Sequence, residues 1–243
     1  MKIGYKTDTG KEREHNEDGL FVDERLGLFI VADGMGGCLG GGEASCMAIE
    51  IVSESIRDKM PLPTNKEEIY NLLLDTLSKA NRAIRMRGRE EMDLWGMGTT
   101  IVLALCFQNE FYIAHVGDSR AYFIKERSIR QLTEDHSVVM EMVKTGMLTK
   151  EEAREHYLKP FLSQVLGGES HVVRPDIQAL TWEKGDCLLL CTDGLTEMLD
   201  DQEILSEVLK SNKEPQRACE SLVDLANMKG GRDNITVILA KFD

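Results

Sequence analysis

The chain has 243 residues, 42% of them hydrophobic, which is enough for one domain with a sizeable core. Its formal net charge of -13 argues against nucleic acid or an anionic membrane as a partner, because proteins recognise both through basic patches. Six cysteines without a C-x-x-C pair and the lack of a signal-peptide pattern predict a cytoplasmic protein. No apolar run has bilayer length, so no membrane anchor is expected, nor a tail. The protein is expected to be a monomer.

The first third of the chain is predicted to contain three strands and two helices. The strands are expected at about Lys2–Thr7, Leu20–Asp23 and Leu28–Ala32. The helices are expected at about Gly42–Lys59 and Lys66–Arg87. Thr64 and Glu67 have the spacing of a capping box before the second helix. Apolar residues recur in this helix at helical period, which indicates one face packed on the core.

The middle and end of the chain are predicted to be rich in strands, with helices grouped apart from them. Short polar connections favour an antiparallel meander with strands at Thr99–Cys106, Phe111–Val116, Ala121–Lys125 and Ile129–Leu132. A polar, helix-prone insert follows at about Ser137–His156, with Gly146 as its expected C-cap. The remaining strands are expected at Ile177–Trp182, Cys187–Cys191 and Ile235–Lys241, and the helices at Asp201–Lys210 and Pro215–Met228. This grouping argues against a regular βαβ fold.

Four carboxylate motifs stand at the ends of apolar runs, beside glycine or asparagine. They are Glu17-Asp18 in REHNEDG, Asp33 in FIVADGMGG, Asp193 in LLLCTDGL and Asp233 in GGRDNITVI. If they converge, their charges repel and raise one another's pKa. Mg²⁺ or Mn²⁺ relieves that conflict, because both ions prefer oxygen ligands. Each motif alone also fits an ordinary turn, since Asp-Gly pairs are common turn residues. The combination suggests a carboxylate-built metal centre.

Nine segments carry a family resemblance along almost the whole chain. In order they are REHNEDG, VADGMGG, EAS, GMGTT, HVGDSRAY, QLTEDHS, LGG, TDGLTEML and GRDNITVI. With these segments the chain resembles the bacterial branch of the type 2C metal-dependent protein serine/threonine phosphatases. The resemblance implies an α+β fold, a four-layer αββα sandwich of two antiparallel sheets flanked by helices. It also implies a single catalytic domain over residues 1–243 with a flap-like insert at about 137–165.

The resemblance further implies two Mn²⁺ or Mg²⁺ ions per site. In the family pattern Asp33 bridges the two ions, and Asp193 and Asp233 hold one of them. Gly34 offers its carbonyl oxygen to the other ion, and Glu17 and Asp18 act in the same shell, partly through water. Such a pair of ions acidifies a water and clamps phosphoryl oxygens.

Two further residues match family positions near the metals. Arg13, four residues before Glu17, matches the arginine that binds phosphate, since its fork fits phosphate oxygens. Without the match it would read as a solvated residue in a charged stretch. Asp118 in HVGDSRAY matches the residue that helps hold a third metal with the Asp193 equivalent. Its alternative is an ordinary hairpin turn.

The proton donor to the leaving group is left open. Animal relatives carry a histidine where this chain has Met35, and bacterial relatives often carry one where it has Cys38. His156 in the helical insert is a candidate general acid, although it also fits an exposed surface histidine. A water at the metal centre could serve instead. Cys38 lacks a Cys-x₅-Arg phosphate loop, so we interpret it as non-catalytic.

The expected function is hydrolysis of phosphoserine and phosphothreonine on proteins. The expected partners are phosphorylated proteins, including a serine/threonine kinase and its substrates. There are three alternative functions. A dinucleotide site fails because Leu39 stands where the third glycine of G-x-G-x-x-G belongs. A catalytically silent binding module is disfavoured, because every metal-position carboxylate is present. A phosphatase acting on a regulatory partner of a sigma factor stays within the family.

Overall fold

Two five-stranded antiparallel sheets lie face to face in the structure, a computed structural model that describes residues 1–169 and 172–243. The first sheet has the spatial order β1 (Lys2–Asp8), β13 (Ile235–Lys241), β12 (Cys187–Cys191), β8 (Arg120–Lys125), β9 (Ser128–Gln131). The second has the order β11 (Asp176–Thr181), β7 (Glu110–Val116), β6 (Ile101–Phe107), β3 (Leu28–Ala32), β2 (Gly19–Asp23). A small third sheet contains β10 (Leu166–Gly167), β5 (Gly98–Thr99) and β4 (Gly34–Met35).

Helices cover the outer faces of both sheets. Against the second sheet pack α1 (Gly37–Arg57) and α2 (Lys66–Glu90), the latter followed by a 3₁₀ turn, Met92–Leu94. Against the first sheet pack α5 (Asp193–Thr196), α6 (Asp201–Lys210) and α7 (Pro215–Met228). The short helices α3 (Val138–Lys144) and α4 (Lys150–Arg154) lie in the insert. Among the described residues, no helix has both the length and the apolar character needed to cross a bilayer.

The hydrophobic core has three layers, one between the two sheets and one between each sheet and its helices. These layers explain why the strands are continuous apolar runs in the sequence. Along β3, Leu28 and Ile30 face the helices, whereas Phe29 and Val31 face the opposite sheet. Side chains alternate along a strand, so a strand buried on both faces needs apolar residues at every position. The predicted αββα sandwich is therefore confirmed.

Three predicted local features are wrong. The predicted meander breaks between β7 and β8, which lie in different sheets. The cap of α2 is Asn65, whose Oδ1 accepts the N–H of Glu67 at 2.9 Å, so Thr64 is not the cap. Helix α1 begins at Gly37 rather than Gly42. Its glycines have low helix propensity but allow close packing, since a Cβ on Gly41 would lie 2.7 Å from the carbonyl of Gly34.

The insert is closed at its base by its own backbone. Ser137 and Leu162 form an antiparallel bridge, and the N–H of Val138 donates to the carbonyl of Phe161 at 2.8 Å. Gly146 follows the last helical turn of α3 with a φ of +75°, as predicted for a C-cap glycine. The segment 137–165 is called the flap below.

Candidate active site

Five aspartates from distant parts of the chain meet at one end of the paired sheets. Each stands where a strand begins or ends: Asp18 before β2, Asp33 after β3, Asp118 between β7 and β8, Asp193 after β12 and Asp233 before β13. All but Asp18 line one open cleft, together with Arg13, Glu17 and Gly34. The flap and the α5–α6 region form the walls of this cleft. The structure thus brings the carboxylates of all four sequence motifs together.

Burial and mutual repulsion raise the pKa values of the clustered carboxyl groups. Burial and the charges of Asp193 and Asp18 raise the pKa of Asp33 well above its ordinary value. Burial, with smaller contributions from neighbouring aspartates, raises the pKa of Asp18 to about 7 and that of Asp118 to about 8. Burial also raises the pKa of Asp193 to about 6, although a hydrogen bond with Asp33 opposes the rise. Such a cluster favours either protons or cations.

Two carboxylate oxygens in this cluster have no hydrogen-bond partner among the described residues. They are Oδ1 of Asp18 and Oδ1 of Asp193, and both are out of reach of bulk water. A buried polar atom without a partner is costly, so it indicates a missing ligand. An all-oxygen donor set fits Mg²⁺ or Mn²⁺ better than a soft metal. The residues present therefore fit the expected ions.

Hydrogen bonds with threonines hold the aspartates of the cluster in place. Thr192 donates its hydroxyl proton to Oδ2 of Asp18 at 2.9 Å and accepts the N–H of Thr236 at 3.0 Å. Thr100 holds the backbone of Asp33 with two hydrogen bonds. The Oγ1 of Thr100 accepts the N–H of Asp33 at 3.0 Å, and the N–H of Thr100 donates to the carbonyl of Asp33 at 2.8 Å. The hydroxyls of Thr100 and Ser119 are also hydrogen-bonded, at 2.7 Å.

Glu17 and Gly34 are held by close backbone packing. Asn234 accepts the N–H of Glu17 at 2.8 Å, and its amide donates to the carbonyls of Thr9 and His15, each at 2.9 Å. A Cβ on Gly34 would lie 2.1 Å from the carbonyl oxygen of Gly41 and 2.7 Å from that of Glu17. Only glycine fits there, which leaves the backbone of this turn close to the carboxylates.

Arg13 lies at the mouth of the cleft and is half exposed. Its Nη2 donates to Oδ2 of Asp233 at 2.6 Å, and this hydrogen bond raises the pKa of the guanidinium above its ordinary value. The negative charges of Asp33 and Asp193 also raise the pKa of Arg13, by smaller amounts. Arg13 is thus a cation aimed at the carboxylate cluster.

The histidine suggested as proton donor does not line the cleft that holds the carboxylates. His156 is not among the described residues that line the cleft, and its Nδ1 accepts the N–H of Leu158 at 3.2 Å. Its role as general acid stays a prediction without geometric support. His15, which sequence reasoning overlooked, does line the cleft. The side chain of Cys38 lies outside the described part of the chain.

Sequence reasoning also missed the residues that support the carboxylates, chiefly Thr100, Thr192 and Asn234. A signal was present, because Thr192 and Asn234 adjoin Asp193 and Asp233 in the motifs already singled out. Their polar side chains stand next to buried strands, where each needs a hydrogen-bond partner.

Comparisons with known proteins match the chain along its length. The family model for protein phosphatase 2C matches residues 9–227. The serine/threonine phosphatase stp of Listeria monocytogenes is 42% identical, over 100% of this chain and 96% of that protein. The serine/threonine phosphatase structure of S. agalactiae superposes with a TM-score of 0.90 at 36% identity, covering 100% of this chain and 99% of that one.

A further solved structure bears on the cofactor. It is the catalytic domain of the phosphatase PstP in complex with 2 manganese ions, with a TM-score of 0.86, 31% identity, and coverage of 100% of this chain and 98% of that one. The matching fold, the whole-chain similarity and the carboxylate cluster agree. The chain belongs to the protein phosphatase 2C family, and it is a metal-dependent enzyme that hydrolyses phosphoserine and phosphothreonine in proteins.

Proposed function

We propose that the aspartate cluster is the two-metal centre of this phosphatase and that each residue has a separate role in it. Asp33 would serve both ions, Asp193 and Asp233 would hold one, and the carbonyl of Gly34 would hold the other. Glu17 and Asp18 would act in the same shell, partly through water. Asp118 would help hold a third ion together with Asp193. The unpartnered oxygens of Asp18 and Asp193 carry this proposal.

Bound ions supply an acidified water as nucleophile and neutralise charge on the phosphoryl group. The protein's own residues keep the carboxylates oriented. Thr192 holds one oxygen of Asp18 and so directs the other toward the centre. Thr100 fixes the backbone at Asp33. Since fixed dipoles do not reorganise during the reaction, this support lowers the barrier.

Arg13 is proposed to bind the substrate phosphate. In the structure its guanidinium pairs with Asp233. A cation at Asp233 competes for the same carboxylate, which leaves the arginine fork available for phosphate oxygens. Metal binding and phosphate binding are then coupled through one ion pair.

The flap is proposed to select protein substrates. It forms one wall of the cleft with Val139, Met140 and Val143, and Lys159 reaches across to Glu197 with a distance of 3.2 Å between Nζ and Oε1. A phosphopeptide spans these walls, whereas p-nitrophenyl phosphate is too small to do so. We also propose that residues 1–243 form a single catalytic domain. It acts as a cytoplasmic monomer and opposes a serine/threonine kinase.

A phosphopeptide assay tests the metal centre. Activity on phosphothreonine peptides and on p-nitrophenyl phosphate should require Mn²⁺ or Mg²⁺ and vanish in chelator. Asp33→Asn should lower kcat by several orders of magnitude, because it removes a charged ligand that both ions share. Asp75→Asn, an exposed aspartate on α2, is the matched control and should retain full activity. Undiminished turnover in Asp33→Asn would contradict the assignment.

A further inference from the structure

The two walls of the cleft carry opposite charges. Among the residues that the structure describes, the flap contributes four cations to the cleft surface: Lys144, Lys150, Arg154 and Lys159. The four carboxylates of the flap lie outside that surface: Glu141, Glu151, Glu152 and Glu155. The facing α5–α6 region contributes four carboxylates besides Asp193: Glu197, Asp200, Asp201 and Glu203. A substrate in the cleft therefore lies between a basic wall and an acidic wall.

Two of the four flap cations are already paired with carboxylates. Nζ of Lys144 lies 3.4 Å from Oε1 of Glu134 and 3.7 Å from Oε1 of Glu141. Nζ of Lys159 lies 3.2 Å from Oε1 of Glu197, on the opposite wall. The positive charge that remains for a ligand is therefore that of the other two cations.

These two cations, Lys150 and Arg154, are the first and last residues of α4. Both are exposed, and neither has an ion-pair partner among the described residues. Residues four apart are neighbours on one helix face, where two like charges destabilise the helix. The stability of α4 therefore does not explain this pair. An anion bound between the two side chains would remove their repulsion, because both groups only donate hydrogen bonds.

The distance from this pair to the metal centre suits a residue that flanks the phosphorylated one. Burial raises the pKa of Asp193 and the positive charge of Lys159 opposes that rise, so Lys159 lies near the metal centre. Arg154 is five residues from Lys159, a separation of at most roughly 18 Å even in an extended chain. An extended substrate covers about 3.3–3.6 Å per residue, so it spans this gap with about five residues.

We propose that Lys150 and Arg154 form a subsite for an anionic residue within about five positions of the substrate's phosphothreonine or phosphoserine. The proposal rests on the role proposed for the flap in substrate selection. The ligand is a carboxylate or a second phosphate, because ammonium and guanidinium groups bind both. On the other side of the phosphorylated residue, the same anion meets the carboxylates of the α5–α6 region. The two walls therefore set the direction in which an acidic substrate lies in the cleft.

Synthetic phosphothreonine peptides test the subsite through ratios of kcat/KM. The reference peptide has alanine at the flanking positions. One peptide carries glutamates on the N-terminal side, and a second carries them on the C-terminal side. The wild type should prefer glutamate on one side about three- to tenfold, the size expected for one or two exposed ion pairs, with no gain on the other side. The preference should shrink at about 0.5 M salt, because exposed charges are screened.

Paired variants assign the preference to the two cations. Lys150→Ala combined with Arg154→Ala should bring the ratio to about one. Lys150→Glu combined with Arg154→Glu should invert it, in favour of lysine-flanked peptides. The matched control is Lys59→Ala combined with Arg82→Ala, which removes the same charge from exposed positions outside the cleft and should keep the wild-type ratio. Each ratio compares two peptides on one enzyme preparation, so a partly unfolded variant does not distort it.

A phosphonate residue, which the enzyme cannot hydrolyse, separates the two sources of the anion. A larger ratio for the phosphonate than for glutamate at the preferred side supports the subsite with a second phosphate as its better ligand. A larger ratio for glutamate supports the subsite with a carboxylate as its better ligand.

Three results would overturn the proposal. They are a wild type without a one-sided preference, a preference that survives the loss of Lys150 and Arg154, and an equal loss in the control. Exchange of residues 145–156 for a relative's segment then shows which idea has failed. If the exchange still changes kcat/KM for the reference peptide, the flap selects substrates through other contacts and only the anion subsite is refuted. If it changes kcat/KM for no peptide, the role proposed for the flap fails as well.

Discussion

Asp193→Asn is expected to stabilise the metal-free protein while abolishing its activity. Burial raises the pKa of the Asp193 carboxyl from 3.8 to about 6, so the folded protein favours the protonated form. The protonated carboxyl group of Asp193 therefore makes its full contribution to the free energy of unfolding below pH 3.8. That contribution is lost as the pH rises through about 6. Asparagine is neutral at every pH, so the variant avoids the loss.

The size of the effect follows from the same values. A pKa of about 6 in place of 3.8 costs the folded protein roughly 3 kcal/mol once the carboxylate is ionised. For a chain of this length that corresponds to a rise of roughly 6–12 °C in the Tm of the metal-free variant at pH 8. Removing one negative charge also relieves Asp33, whose pKa is raised in part by Asp193.

Thermal unfolding in chelator between pH 4 and pH 8 measures this difference. The Tm of Asp193→Asn should match that of the wild type near pH 4 and exceed it increasingly up to pH 8, with Asp75→Asn following the wild type throughout. Mn²⁺ at 1,000 times Kd should reverse the order, because it stabilises the wild type by about 4.1 kcal/mol, more than the roughly 3 kcal/mol by which the metal-free variant is favoured. A variant that is less stable than the wild type at pH 8 in chelator would refute the reasoning.

Three further predictions concern single parts of the site. Arg13→Ala should lower kcat/KM roughly 10- to 100-fold by weakening phosphate binding without weakening metal binding, and lysine should rescue it incompletely because it lacks the fork. Unchanged phosphate inhibition would make Arg13 a surface charge. Asp118→Ala should retain two Mn²⁺ sites and lose a third in crystals soaked in Mn²⁺, with reduced kcat; two sites in both proteins and full activity would leave Asp118 a turn residue. Replacing residues 145–156 with a relative's segment should change kcat/KM for phosphopeptides but not for p-nitrophenyl phosphate. Equal losses on both substrates would place a catalytic group in this segment, and His156 would be the first candidate.

Local sequence pattern determined the elements and the identity of the carboxylates. The helices Asp201–Lys210 and Pro215–Met228 and the strand Ile235–Lys241 lie where hydrophobic periodicity predicts them. These patterns are local, since neighbouring residues fix which face of an element is apolar. The motif order determined the family, and with it the expectation of a two-metal phosphatase.

Only the tertiary structure decided which residues meet. Arg13 pairs with Asp233 across 220 positions, and Thr192 supports Asp18 across 174. The crossing from β7 to β8 places Asp118 between the two sheets, which no pattern along the chain specifies. Sheet order follows from how whole faces pack, and a hydrogen bond between distant residues leaves no periodic signal in either segment. The raised pKa values of the aspartates and the unpartnered oxygens of Asp18 and Asp193 therefore exist only in the folded protein.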